Sequence, residues 1–230
     1  MLAGPTRPEE ASLDDPAGKI LVSDFDGTMT RRDFFAIVVE RLLPAEMPDY
    51  WGDYLAGRIT HFEALRGIFG SAEGGESALL DAVASMDLDP DLKGEVEALW
   101  LGGWRVVVAS AGCEWYIRKL LADASVEVEV HANPGRVEDG RLAMELPIGS
   151  EFYSRETGVD KIGVVRAAMA GGGTVAFAGD GRPDLAPALL VPATLRFARG
   201  VLAEELTRRG EGFRPFERWS EVSRALLRGD

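Results

Sequence analysis

Three short runs of apolar residues punctuate the chain, and each ends abruptly in polar, glycine-containing sequence. Lys19–Ser23 (KILVS) runs into Asp24-Phe25-Asp26-Gly27-Thr28. Residues 104–109 (WRVVVA) run into Ser110-Ala111-Gly112, and residues 174–178 (TVAFA) into Gly179-Asp180-Gly181. Runs of this length, β-branched and without alternation, suit strands buried on both faces of a parallel sheet. Residues 32–101 differ in character. Apolar positions recur there at helical spacing (Phe35, Val38, Val39, Leu42, Leu43), interrupted by Pro44, Gly57, Gly70 and Gly74-Gly75, with no strand pattern.

Beyond the second run a helix pattern extends to Leu121, and Val126, Val128 and Val130 alternate with glutamates as in a half-exposed strand. Glu138-Asp139-Gly140 marks a hairpin turn. A helix is expected over 160–170, stopped by Gly171-Gly172-Gly173, with further helices over 185–190, 201–209 and 217–227. This order predicts an α/β fold: an open, mostly parallel, Rossmann-like sheet with helices on both faces and a small α-helical subdomain inserted. The expected division is a loose tail at 1–17, a core at 18–31 and 102–230, and a helical cap at 32–101. In such sheets ligands sit at the carboxyl ends of strands.

Composition narrows the function. The 230 residues can bury a core unaided. Asp and Glu outnumber Lys and Arg by 38 to 25, a formal charge of −13 with no basic run. That argues against nucleic acid and against an anionic membrane surface. An anionic small molecule stays open, because a metal ion inverts the local sign. The single cysteine, Cys113, excludes an internal disulfide and a four-cysteine zinc site, and two histidines leave little for His-based metal or triad chemistry. No apolar run is long enough to span a bilayer, and the first residues lack a basic start followed by an apolar stretch. The expected setting is cytoplasmic.

Asp24 and Asp26 lie two apart at a strand end, so in extended chain both point to one side. Two carboxylates that close repel unless a cation neutralises them. Asp180, from another strand end, adds a third, and hard oxygen donors favour Mg²⁺ over zinc. Taken alone, Asp-x-Asp-Gly is equally a turn signal.

The whole constellation is more specific. Asp24-Phe25-Asp26-Gly27-Thr28, Ser110, Lys161 and Gly179-Asp180-Gly181-Arg182-Pro183-Asp184 follow in order, each after the right element. This resembles the haloacid dehalogenase superfamily of phosphohydrolases, over about residues 20–184. The helical cap between the first two motifs resembles the phosphoserine-phosphatase branch.

The resemblance implies roles residue by residue. Asp24 is the expected nucleophile, forming an aspartyl-phosphate. Asp26 is the expected acid for the leaving alcohol and then the base for water, its carbonyl also a Mg²⁺ ligand. Ser110 and the backbone N–H of Ala111 are expected to clamp phosphate oxygens, with Lys161 holding nucleophile and phosphate together. Metal ligands are expected at Asp24, Asp26 and Asp180, with Thr28 and Asp184 supporting them from behind. Asp26 also favours phosphate esters over carbon–halogen bonds, since a halide leaves without an acid. The implied partner is a small phosphorylated metabolite; transfer to an alcohol or sugar acceptor, and a silent phosphometabolite-binding module, are the alternatives.

On the cap side Asp33 is a candidate substrate contact or a first-turn helix acid. Registered on the phosphoserine-phosphatase cap, the arginine expected to grip a substrate carboxylate falls at Ile68, and the asparagine of the last motif falls at Pro183. Both departures argue against phosphoserine. The stretches 110–116 and 177–185 look more like the hydroxy-keto-methylthiopentenyl-phosphate phosphatases of methionine salvage. Tyr50, Trp51, Tyr54, Phe62 and Phe69 populate the cap, as its own small core or as an apolar lid. His61 reads as a cap packing or surface residue.

Overall fold

The computed structural model describes residues 18–229; the tail expected at 1–17 lies outside them. Six parallel strands form the main sheet: β1 (Lys19–Ser23), β2 (Trp104–Cys113), β3 (Glu129–Asn133), β8 (Thr174–Gly179), β9 (Arg196–Ala198) and β10 (Arg214–Pro215), in the order β10-β9-β8-β1-β2-β3. Two antiparallel pairs stand apart from it, β4 (Gly135–Glu138) with β5 (Arg141–Met144) and β6 (Tyr153–Ser154) with β7 (Gly158–Val159). The helices are α1 (Phe34–Arg41), α2 (Tyr50–Leu55), α3 (His61–Gly70), α4 (Gly75–Ala84), α5 (Leu92–Leu101), α6 (Glu114–Asp123), α7 (Lys161–Ala170), α8 (Leu185–Ala188), α9 (Gly200–Arg209) and α10 (Trp219–Arg228).

Alternate residues of the central strands sort into two cores, one on each face of the sheet. Ile20 and Val22, Val107 and Ala109, and Val175 and Phe177 join α7, α8 and α9 on one face. Leu21, Val106, Val108, Ala176 and Ala178 join the other, which is continuous with Phe34, Ile37, Phe62, Phe69, Leu79 and Trp219. This is the Rossmann-like α/β arrangement expected. Burying both faces is what made these strands apolar throughout.

Several elements differ from expectation. The alternating valines lie just before and within the start of β3, which runs to the buried Asn133. β2 continues through Ser110 to Cys113, past a register irregularity against β3. β6, β7, β9 and β10 have no pattern in the sequence, because strands of two or three residues are too short to show a period. The hairpin turn is where Asp139-Gly140 placed it, both residues at positive φ (49° and 75°). Within the helical insertion, α5 packs on β2 and α10, and Arg224 of α10 bonds Glu95 and Asp91. Of the helices in the insertion, α1, α2 and α3 contribute residues to the cavity at the strand tips.

Candidate active site

Register brings the strand tips together. Ser23 pairs with Val108 on one side and Ala178 on the other, so Asp24, Ser110 and Asp180 emerge at the same edge of the sheet. The Asp24 N–H donates to the Ala178 carbonyl at 2.9 Å, holding β1 extended as far as Asp24. Gly27 then turns at φ 66°, and a Cβ there would lie 2.3 Å from Oδ2 of Asp180. Only glycine lets the first turn approach that carboxylate.

Lys161, the first residue of α7, is 5% exposed. Its Nζ donates to Oδ1 of Asp24 and to Oδ1 of Asp184, both at 2.6 Å. Burial works against its charge, but Asp184 and Asp24 outweigh burial and hold the ammonium above the ordinary lysine range. Asp184 also accepts the N–H groups of Asp180 (3.1 Å) and Gly181 (2.9 Å), so both its oxygens are engaged by the protein. Thr28 Oγ1 lies 3.4 Å from Oδ2 of Asp24 and 3.3 Å from Oδ1 of Asp180.

One ammonium does not neutralise all these buried acids. Burial, then Asp184, push the Asp24 carboxyl up to about 6 against the pull of Lys161. Burial raises Asp180 well above the carboxylate range, with Asp24 and Asp184 adding to it. Asp26 is raised by burial and by the nearby Asp33 and Asp24. Its Oδ1 accepts the Phe34 N–H (3.2 Å); its Oδ2 accepts the Tyr116 hydroxyl (2.8 Å) and, at 3.4 Å, the Ser110 hydroxyl.

Oxygens of Asp24, Asp180 and Asp184 lie within 4.8 Å of one another. Three carboxylates facing one ammonium, with oxygen donors alone, form a set able to coordinate a hard divalent cation. The donor chemistry fits Mg²⁺.

Ser110 is buried, and its Oγ accepts the Gly112 N–H at 2.9 Å. The Ala111 carbonyl accepts Nδ2 of Asn133, which also donates to the Thr157 carbonyl. Asn133 thus ties the tip of β2 to the turn between β6 and β7. The expected residues Asp24, Asp26, Lys161, Ala111, Asp180, Asp184 and Asp33 all line one cavity of about 80 Å³. Asp33 is the N-cap of α1, its carboxylate accepting the Phe35 N–H at 2.7 Å. Cys113 is fully buried, and burial pushes its thiol up to about 12.

Three residues escaped sequence reading. Tyr116 sits on α6 as one more core aromatic by pattern, stacked on Phe34. Asn133 ends a strand expected to stop three residues earlier. His61 begins α3 and lines the cavity. Tyr116 alone left a trace, since it closes the 110–116 stretch.

A family model for haloacid dehalogenase-like hydrolases matches residues 21–188. The chain belongs to this family. No curated protein matches the sequence. Among solved structures, a family hydrolase from Salmonella enterica serovar Typhi superposes with a TM-score of 0.63 at 17% identity, over 88% of this chain and 68% of that one. A substrate-bound phosphoserine phosphatase gives 0.62 at 15% identity, over 94% and 99%. The phosphoserine phosphatase of T. onnurineus gives 0.60 at 19%, over 92% and 94%. At these identities the likeness is one of fold alone. Among the described residues no helix is long and apolar enough to cross a membrane.

Proposed function

We propose that this hydrolase is a Mg²⁺-dependent phosphomonoesterase acting on a small phosphorylated metabolite through an aspartyl-phosphate. The observation that carries the reading is the arrangement around Asp24, a buried carboxylate held by Lys161 on one oxygen, with the acid Asp26 in the same cavity. An oxygen of Asp24 attacks phosphorus while the bond to the leaving alkoxide breaks, and Asp26 gives that alkoxide its proton. Asp26 then takes a proton from the water that attacks the aspartyl-phosphate, and Asp24 is released with inorganic phosphate. A carboxyl raised by burial and by neighbouring acids retains the proton the first step needs.

Ser110 and the Ala111 N–H are assigned to the phosphate oxygens, and Lys161 to the charge shared by phosphate and nucleophile. Asp24, Asp180 and the Asp26 carbonyl would hold Mg²⁺, which supplies charge neutralisation for the phosphate when bound. Thr28 and Asp184 position these groups; Asp184 suits that part because its oxygens are already engaged. Within the 32–101 insertion, α1–α4 form the cap in this reading. Likeness in the stretches 110–116 and 177–185 supports kinship with the methionine-salvage phosphatases, and one buried, unpaired cysteine suits a cytoplasmic setting.

Turnover of p-nitrophenyl phosphate with Mg²⁺, abolished by chelator and by Asp24→Asn, is the test. Hydrolysis by Asp24→Asn at the wild-type rate would overturn the mechanism.

A further inference from the structure

The tip of β2 leaves its ladder before it ends. Ala109 pairs with His131 and Cys113 with Asn133, so Ser110, Ala111 and Gly112 stand opposite Ala132 alone. A bulge of this kind gives up ladder hydrogen bonds, and the freed backbone groups need other partners. Side chains supply two of them. The Gly112 N–H donates to Oγ of Ser110 at 2.9 Å, and the Ala111 carbonyl accepts Nδ2 of Asn133 at 2.7 Å. Both groups belong to one peptide unit, between Ala111 and Gly112, and in a trans peptide they point to opposite sides. That unit is therefore gripped from both sides.

Asn133 is committed to this grip. It is wholly buried, and it also donates to the Thr157 carbonyl at 3.0 Å, so its amide nitrogen bridges main-chain carbonyls of two segments. Its Oδ1 is sealed with no hydrogen-bond partner among the described residues. Gly158 leaves room for that oxygen, since a Cβ there would lie 1.7 Å from it. An unpaired buried acceptor is costly, and an apolar side chain of the same size would avoid the cost. What the amide offers against it is its donors.

Ser110 is where the grip meets chemistry. Its hydroxyl has a single proton, and with the Gly112 N–H on the oxygen that proton is left to donate. Its acceptor in this structure, Oδ2 of Asp26, is distant at 3.4 Å.

We propose that Asn133 is a positioning residue for phosphate binding: by fixing the Ala111–Gly112 peptide it aims the Ser110 hydroxyl at a phosphate oxygen. The inference rests on the phosphomonoesterase reading, in which Ser110 clamps the phosphate. Without the amide the peptide can rotate, the Gly112 N–H leaves Oγ, and the hydroxyl loses its direction.

The test is a double-mutant cycle read by calorimetric titration of inorganic phosphate with Mg²⁺ and by kinetics on p-nitrophenyl phosphate. Ser110→Ala and Asn133→Leu, the latter close in volume, are each expected to weaken phosphate and raise KM by about 10-fold, with kcat for Asn133→Leu within about three-fold of wild type. The double variant is expected to bind phosphate within about two-fold of Ser110→Ala alone, because both changes act through one hydroxyl. Gly158→Ala pushes a methyl against Oδ1 and displaces the same amide without replacing it. Its loss is expected to match that of Asn133→Leu and to vanish likewise in the Ser110→Ala background, which keeps the test open should Asn133→Leu fail to fold. Unchanged phosphate affinity in these variants overturns the proposal. So do losses that multiply in the double variants, as a general loosening of the fold would give. The expected pattern of phosphate binding without ester turnover, wild type included, would instead sink the phosphatase reading and leave the role of Asn133 standing.

Discussion

The hydroxyl of Tyr116 donates to Oδ2 of Asp26 at 2.8 Å, from a ring fully enclosed between Phe34 and Phe69. This contact joins the core helix α6 to the first strand tip and fixes which way the Asp26 carboxyl faces. Gly112 leaves room for it, since a Cβ there would lie 1.9 Å from the Tyr116 hydroxyl. Tyr116→Phe keeps the packing and removes the bond. Its kcat on p-nitrophenyl phosphate is expected to fall about 10-fold, with KM little changed, and its stability by about 1 kcal/mol in urea unfolding.

Lys161 is the sole cation between two buried carboxylates. Lys161→Met leaves Asp24 and Asp184 without it, and a loss of about 3 kcal/mol is expected. The control Lys119→Met breaks an exposed pair with Asp123 on α6 and is expected to change stability by less than about 0.5 kcal/mol. Equal effects in thermal melts of the two variants would refute the structural role of Lys161.

Gly27 stands where a side chain meets Asp180. Gly27→Ala forces a strained φ of 66° and a clash 2.3 Å from Oδ2. We expect a loss of about 1–2 kcal/mol in stability. Mg²⁺ affinity, read by metal titration of activity, should fall at least 10-fold. Gly57→Ala, also at positive φ but with open space around it, is expected to cost stability alone.

His61 titrates against folding. Unfolded, the ring takes a proton near its ordinary 6.5; folded, it stays neutral down to about 4. The unfolded chain therefore binds the extra proton between those values, and this contribution to stability falls as pH falls through the window. The slope is about 1.4 kcal/mol per pH unit, or about 3 kcal/mol across it. Asp24, raised from 3.8 to about 6, acts in the opposite sense over much the same range. The difference between wild type and His61→Asn, followed by urea unfolding from pH 7 to pH 4, isolates the histidine. A pH-independent difference would contradict its neutral burial.

Cys113 is expected to be inert. Its thiol is pushed up to about 12 by burial, so at pH 8 almost no thiolate exists. Native protein should resist a thiol-reactive dye for hours and react fully in denaturant. Rapid labelling of the native state would show that the tip of β2 opens.

Asp24, Asp26 and Asp180 were legible as strand-tip acids because their signals are local: apolar runs that mark buried strands, and polar, glycine-bearing breaks that mark strand tips; Lys161, the first residue of α7, stood out only through the family resemblance. The parallel register of β1 with β2 and β8 then carries those tips to one place. The short strands β9 and β10 were not legible, because their pairing depends on neighbours already in position.

What the sequence by itself determined is the central strands β1, β2 and β8, their burial on both faces and the acidic residues at their tips, since each follows from side-chain period and type within a few residues. Tertiary structure alone decided that Tyr116 meets Asp26 across 90 positions, that Asn133 braces Ala111, and that an ordinary-looking histidine ends up neutral on the cavity wall. Those outcomes depend on contacts between distant segments and on the exclusion of water, neither of which leaves a periodic trace along the chain.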